Sequence, residues 1–203
     1  MKLYDGGQAP NPRRVRIFLA EKSIEVPLVP VDMTALEHKS EMVTSRNPLQ
    51  RLPVLELDDG TILTETVAIC RYFEELNPEP PLMGIDALDK AIVEMWSRRI
   101  EFHLLMPVGH AFRHLHPAMK EWEVPQVAEW GDANKSKAVE FMKWLDQELG
   151  RREFIAGERY TIADITAMIS VDFMKPARIQ VPESFENLLR WYKSVSSRPS
   201  ARA

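Results

Sequence analysis

Over residues 1–80 the apolar positions come in short runs whose period keeps changing. Lys2–Asp5 and Glu25–Asp32 are brief stretches rich in apolar and β-branched residues, which predicts two strands. Between them Val15, Phe18 and Leu19 share one face of a helical pattern over residues 12–22, with Pro12 suited to its first turn. Pro53–Leu57 and Thr61–Glu65 flank Asp58-Asp59-Gly60, and an Asp-Gly step favours a tight hairpin. Thr66–Leu76 returns to helical spacing. A proline-rich breaker, NPEPPLMG, follows at residues 77–84.

Beyond residue 86 the strand pattern stops. Residues 87–116 keep helical spacing, interrupted by Pro107, which predicts a kink or a split. Further helices are predicted over 133–149, 162–175 and 184–197. Thr161 lies three residues before Asp164, a variant of the capping box that predicts a helix start rather than a catalytic pair. The pattern therefore divides into a small α/β domain over 1–80, a linker over 81–86 and an all-α domain over 87–203.

Composition narrows the partners. The chain of 203 residues has 26 basic and 30 acidic side chains, a net charge of −4, which gives no reason to expect nucleic acid. No run approaches the ~18 apolar residues of a membrane span, and the N-terminus lacks the apolar stretch of a signal peptide. Cys70 is the one cysteine, so no intramolecular disulfide forms and a reducing cytoplasm is expected. With Val67 and Phe73 on its helix face, Cys70 reads as a small buried hydrophobe.

Several short motifs carry candidate chemistry. Leu52-Pro53 precedes a strand, and an X-Pro bond is the routine place for a cis peptide, which would turn the Leu52 N–H and C=O out of the ladder towards a peptide ligand. A trans, edge-of-strand proline is the alternative, and the residues alone leave it open. Glu65-Thr66 opens a helix, where free N–H groups and a hydroxyl suit a carboxylate while Glu65 suits an ammonium group. His38-Lys39 is a donor pair able to hold a second carboxylate. Four of the five histidines fall within residues 103–116, and His103, His110 and His114 would form a narrow helical stripe. No cysteine or nearby carboxylate completes a metal site there, so no metal is expected.

The order of these features resembles the cytosolic glutathione transferases over essentially the whole chain, including FIAGERYTIADI at 154–165. The resemblance implies a thioredoxin-like N-terminal domain followed by an all-α helical domain, glutathione as co-substrate, a small-molecule electrophile and a homodimer. Carried over, Leu52 with a cis Pro53 pairs with the cysteinyl backbone of glutathione. Glu65 and Thr66 hold its γ-glutamyl end, and His38 and Lys39 its glycyl carboxylate. Arg51 stands where many relatives have glutamine or lysine and could still meet a carboxylate. The alternatives are a glutathione-dependent isomerase, dehalogenase or peroxidase, or a transferase-like binding module without turnover.

One feature of that family is missing. The loop 3–12, LYDGGQAPNP, has no Ser, Cys or His, and its single tyrosine, Tyr4, lies back in the strand. The chain is similar to yeast and bacterial members that share P-x-x-x-R-V-R-I-x-L-A-E-K and lack the usual activator. A cysteinyl thiol titrates near ~8.5, and lowering it by two units takes roughly 2.7 kcal/mol of preference for the anion. A hydrogen bond to a charged group supplies about 1.5–3 kcal/mol and a helix N-terminus about 0.3–1, so one good donor suffices. Asn11 is the leading donor, with N-capping as its competing role. His114 is the histidine expected to help a water take the thiol proton, with His110 second. His110, Arg113 and His114 together are expected at the electrophile site.

Overall fold

The short apolar runs of the first eighty residues form one sheet because each is long enough to pair and too short to pack alone. In the computed structural model, which describes residues 1–203, β1 (Lys2–Asp5), β2 (Leu28–Pro30), β3 (Val54–Glu56) and β4 (Ile62–Thr64) lie in the order β2-β1-β3-β4. β2 runs parallel to β1, while β3 is antiparallel to β1 and β4 to β3. The parallel pair needs a crossover, supplied by α1 (Pro10–Glu21). α2 (Glu41–Thr44) is one turn, and α3 (Thr66–Leu76) follows the hairpin over the predicted residues.

Ile17, Phe18, Ile69 and Phe73 are buried, and α1 packs beside α3. Tyr4, Val31, Val43, Leu52 and Val54 form a further apolar cluster. The hairpin turn closes as predicted, with Gly60 at φ 85°, a left-handed conformation that glycine adopts freely. Lys22, buried under the end of α1, pairs with Glu74 at 2.7 Å and donates to the Asn77 and Pro80 carbonyls. An unpaired charge there would cost several kcal/mol.

This unit comprises Met1–Leu82 together with Pro199–Ala203; the second unit is Met83–Arg198. The expected helical domain of 87–203 therefore loses its last turn to the first unit. Arg13 donates to the Ala201 carbonyl at 2.8 Å and Ser200 bonds Glu21, which holds that turn against α1.

The second unit is all helix: α4 (Ala87–Ile100), α5 (Met106–Leu115), α6 (Ala128–Leu149), α7 (Ile162–Met174) and α8 (Glu186–Ser196). Between α4 and α5 the chain takes one π-helical turn, Glu101–Leu105, immediately before Pro107. Proline has no N–H for residue i−4 and its ring crowds that carbonyl, so the widened turn replaces the kink expected there. α7 is buried on nearly every side and is the core of the unit. Its capping box is complete: Thr161 Oγ1 accepts from Ala163 N, and Thr161 N donates to Asp164 Oδ2 at 2.9 Å. Asp164 also accepts from Ile155 N and Trp191 Nε1, both at 2.9 Å. No helix of the chain is long and apolar enough to cross a membrane.

Candidate functional site

Strand register decides which loops meet. β1 and β2 end together because Asp5 pairs with Pro30, and Tyr4 pairs with Val54 at the start of β3. Val54 in turn pairs with Thr64 at the end of β4. The loop 6–9, the chain leaving β2, the Leu52-Pro53 entry to β3 and the Glu65-Thr66 exit from β4 therefore emerge at one edge of the sheet. Packing agrees: a Cβ built on Gly6 would lie 3.2 Å from Leu52 Cδ1 and 3.4 Å from both Met33 Cγ and Pro12 Cγ. Open α/β sheets offer ligands this kind of edge, beyond the carboxyl ends of parallel strands.

At that edge the Leu52–Pro53 bond is cis. Leu52 itself is buried, yet its main-chain N–H and C=O have no hydrogen bond within the protein. Asn47, also buried, shapes the approach: its side chain donates to the Arg51 carbonyl at 2.9 Å and accepts from Leu49 N at 3.1 Å. In the sequence Asn47 shows only as the start of an Asn-Pro-x-x-x-x-Pro turn signal, without the supporting bonds that its side chain makes.

Glu65 occupies the N-cap position of α3 at φ 68°, ψ 122°, with its carboxylate exposed and making no cap. A non-glycine residue in that region costs on the order of 1–3 kcal/mol and is commonest at functional sites. Beside it Thr66 is largely buried and its hydroxyl has no partner in the protein. The first-turn amides of α3 are uncapped, so this helix end has donors to give.

His38 and Lys39 lie on a 3-10 turn, Glu37–Lys39, rather than at the start of a longer helix. Only Lys39 of the two is exposed; His38 is 1% exposed. Burial pushes the His38 imidazole down, and the positive charges of Lys39 and Arg51 push it further the same way. That electrostatic effect places Arg51 near the pair. At neutral pH the cations of this corner are thus Lys39 and Arg51, and His38 is a neutral ring near them.

The loop before α1 explains what replaces a hydroxyl. Asp5 holds it open, accepting from Gly7 N at 3.0 Å and pairing with Arg16, which also donates to the Gly7 carbonyl at 2.9 Å. α1 begins at Pro10 with Ala9 as N-cap, so Asn11 is not the capping residue. Pro10 and Pro12 have no N–H, and Arg13 N already donates to the Ala9 carbonyl at 3.2 Å. Asn11 is consequently the one residue of the first turn with a donor to spare. Its Oδ1 accepts from Arg14 Nη1 at 3.0 Å, which turns the Nδ2 amide towards solvent. Arg14 is 2% exposed and rigidly placed, a support that sequence reasoning had left among surface or structural charges.

Tyr4 is excluded as a thiol activator by its own bonds. It is buried, its hydroxyl donates to Glu56 Oε2 at 2.9 Å, and the Arg46 guanidinium stacks 4.8 Å from the ring centroid. Arg46, with help from Tyr4, holds the Glu56 carboxyl down at about 2. Cys70 is fully buried, and burial pushes its thiol up to about 12, so it is inert packing.

On the helical unit, His110, Arg113 and His114 share α5. His114 Nδ1 accepts from Val127 N at 3.1 Å, so the neutral ring carries its hydrogen on Nε2, 3.8 Å from Glu123. Arg113 reaches the same carboxylate at 3.6 Å. His114 therefore offers a donor rather than a free lone pair. His110 is pushed down by burial and by the charges of His114 and Arg113. It lines a cavity of about 570 Å³ walled by Phe102, Met106, Trp130 and Trp144. His103 lies on the π-helical turn and lines the same cavity.

Comparison with known proteins agrees with this geometry. Residues 1–75 match the family model for the glutathione S-transferase N-terminal domain, and residues 104–199 match the model for the C-terminal domain. Glutathione S-transferase 2 of Saccharomyces cerevisiae is 38% identical over 205 residues, covering 100% of this chain and 88% of the yeast protein. The crystal structure of Gtt2 from Saccharomyces cerevisiae superposes with a TM-score of 0.94 at 38% identity, covering 100% of this chain and 99% of that one. A Gtt2-class glutathione S-transferase of Vibrio parahaemolyticus gives 0.87 at 36% identity, over 100% and 96% of the two chains.

Proposed function

The chain belongs to the glutathione S-transferase family and is a glutathione transferase, and we propose that it binds glutathione along the sheet edge as a thiolate and joins it to a small hydrophobic electrophile. The observation that supports this most is the unequal charge along one edge: a free carboxylate at Glu65, the unpaired Leu52 main chain, then Lys39 and Arg51. The tripeptide has the complementary order. Its γ-glutamyl ammonium meets Glu65, and its α-carboxylate meets Thr66 and the α3 amides. Its cysteinyl backbone adds one rung to Leu52 and Pro53. Its glycyl carboxylate meets Lys39 and Arg51, with His38 as a neutral neighbour.

The thiolate is stabilised by Asn11 Nδ2–H and the N-terminal end of α1, through a charge-assisted hydrogen bond and the helix dipole. On the helical unit His114 offers its Nε2–H to a water, and His110 and Arg113 share its helix as residues for the electrophile. Thiolate sulfur then attacks the electrophilic carbon, forming the C–S bond as the leaving group or π-electron pair departs. We further propose a cytoplasmic homodimer that removes reactive electrophiles.

Thermal unfolding with and without glutathione tests the binding step. A ligand at a hundred times its Kd adds about 2.7 kcal/mol to the folded state, a shift of several degrees. An unchanged midpoint at millimolar glutathione would overturn the reading.

A further inference from the structure

The helical domain holds another cavity, of about 200 Å³, that the proposed chemistry does not use. It opens where the end of α5, the middle of α6 and the chain after α7 meet. Its apolar part is Phe112, Leu115 and Ala177, with the Phe112 ring 4.9 Å from that of Phe173 and 4.8 Å from that of His116. Its polar part is His116, Lys135 and Arg178, and no carboxylate lines it.

Several arginines of this domain are neutralised, whereas the cations lining this cavity are not. Arg98, Arg113, Arg152 and Arg159 each pair with a carboxylate. The side chains of Lys135, half-buried, and Arg178, exposed, make no ion pair or hydrogen bond within the protein. Arg178 also sits at φ 55°, a left-handed conformation that costs an L residue roughly 1–2 kcal/mol and that glycine would fill freely. His116 Nδ1 accepts from Ala118 N at 3.2 Å, which leaves Nε2–H as the ring's donor. Two unpaired cations and a ring donor beside an aromatic floor are complementary to one anion with an apolar body.

We propose that this cavity is a binding site for a small hydrophobic carboxylate, with Lys135 and Arg178 holding the carboxylate and Phe112 and Ala177 the apolar part. Its volume lies below the ~300–1,000 Å³ of drug-sized pockets, so the ligand is a single ring or short chain. The site stands on the helical domain alone and does not depend on the glutathione reading.

The test is a titration of the ¹⁵N-labelled full chain with 3-phenylpropionate and, separately, with 3-phenylpropanol. Saturating S-methylglutathione is present in both, to occupy the carboxylate sites proposed in the first domain. Saturable amide shifts confined to residues near 112–116, 135 and 177–178 are expected with the carboxylate. The alcohol should bind about tenfold more weakly or worse, the loss that follows from removing one charge-assisted hydrogen bond. Lys135→Gln combined with Arg178→Gln, both outside the packed core, should remove the preference for the carboxylate. The proposal is overturned by equal binding of the alcohol, by shifts that map elsewhere, by no saturation at millimolar ligand, or by a double variant that binds like the parent. Failure of the glutathione reading would appear in the thermal shift and would leave this titration readable.

Discussion

Asn11 carries the sharpest quantitative test. Two of the three N–H positions that a helix start normally leaves free are prolines here, so the thiolate has Asn11 and the dipole and little else. A hydrogen bond to the anion at about 1.5–3 kcal/mol plus about 0.3–1 from the helix end lowers a thiol from ~8.5 by roughly 1–3 units. Asn11→Ala removes the larger share and should raise the bound thiol by about 1–2 units. Asn11→Asp keeps an oxygen for Arg14 and puts a second oxygen where the donor was, so the pKa should rise at least as far. Arg14→Met frees the amide to turn and should move the titration the same way by less. The assay is thiolate ultraviolet absorbance of bound glutathione against pH, with glutathione affinity measured alongside. A titration unchanged in Asn11→Ala while glutathione still binds would refute the assignment.

Three further outcomes follow from the described contacts. Tyr4→Phe should leave the bound-thiol titration unchanged and cost about 1 kcal/mol in urea unfolding, the loss of one hydrogen bond to Glu56. Glu65→Gln should weaken glutathione by tenfold or more in calorimetry, since it removes a charge-assisted contact, with little change in Tm because the carboxylate makes no bond in the free protein. Asp164→Ala strands the N–H donors of Ile155, Thr161 and Trp191 in the core and should cost at least about 3 kcal/mol. Burial outweighs those donors and raises Asp164 from 3.8 to about 6, so the part of its stability contribution tied to protonation is complete below 3.8 and is lost as pH rises through 6. The parent's advantage over Asp164→Ala should therefore be larger at pH 5 than at pH 7.

What the sequence disclosed and what it hid follows from the range of each interaction. The hairpin at Asp58-Gly60, the helix Thr66–Leu76 and the Thr161–Asp164 cap are settled by neighbours a few residues apart, and pattern alone finds them. Pro107 was visible as an interruption, but the π turn that absorbs it depends on how α4 and α5 pack, which no local signal encodes. The pairs at 38–39, 52–53 and 65–66 were legible as motifs, while the register Tyr4–Val54–Thr64, which brings the strand ends beside 52–53 and 65–66 to one edge, was not. Two histidines carry chemistry the pattern does not show: burial lowers His38, and His114 commits its Nδ1 lone pair to the Val127 N–H. Arg14 is the most instructive omission. Charge alone left it among structural or surface pairs, and the structure buries it against Asn11, where it sets the direction of an amide. On the proposed reading a loop without a hydroxyl serves a thiolate because prolines strip the helix start of competing donors and a buried cation aims the one that remains.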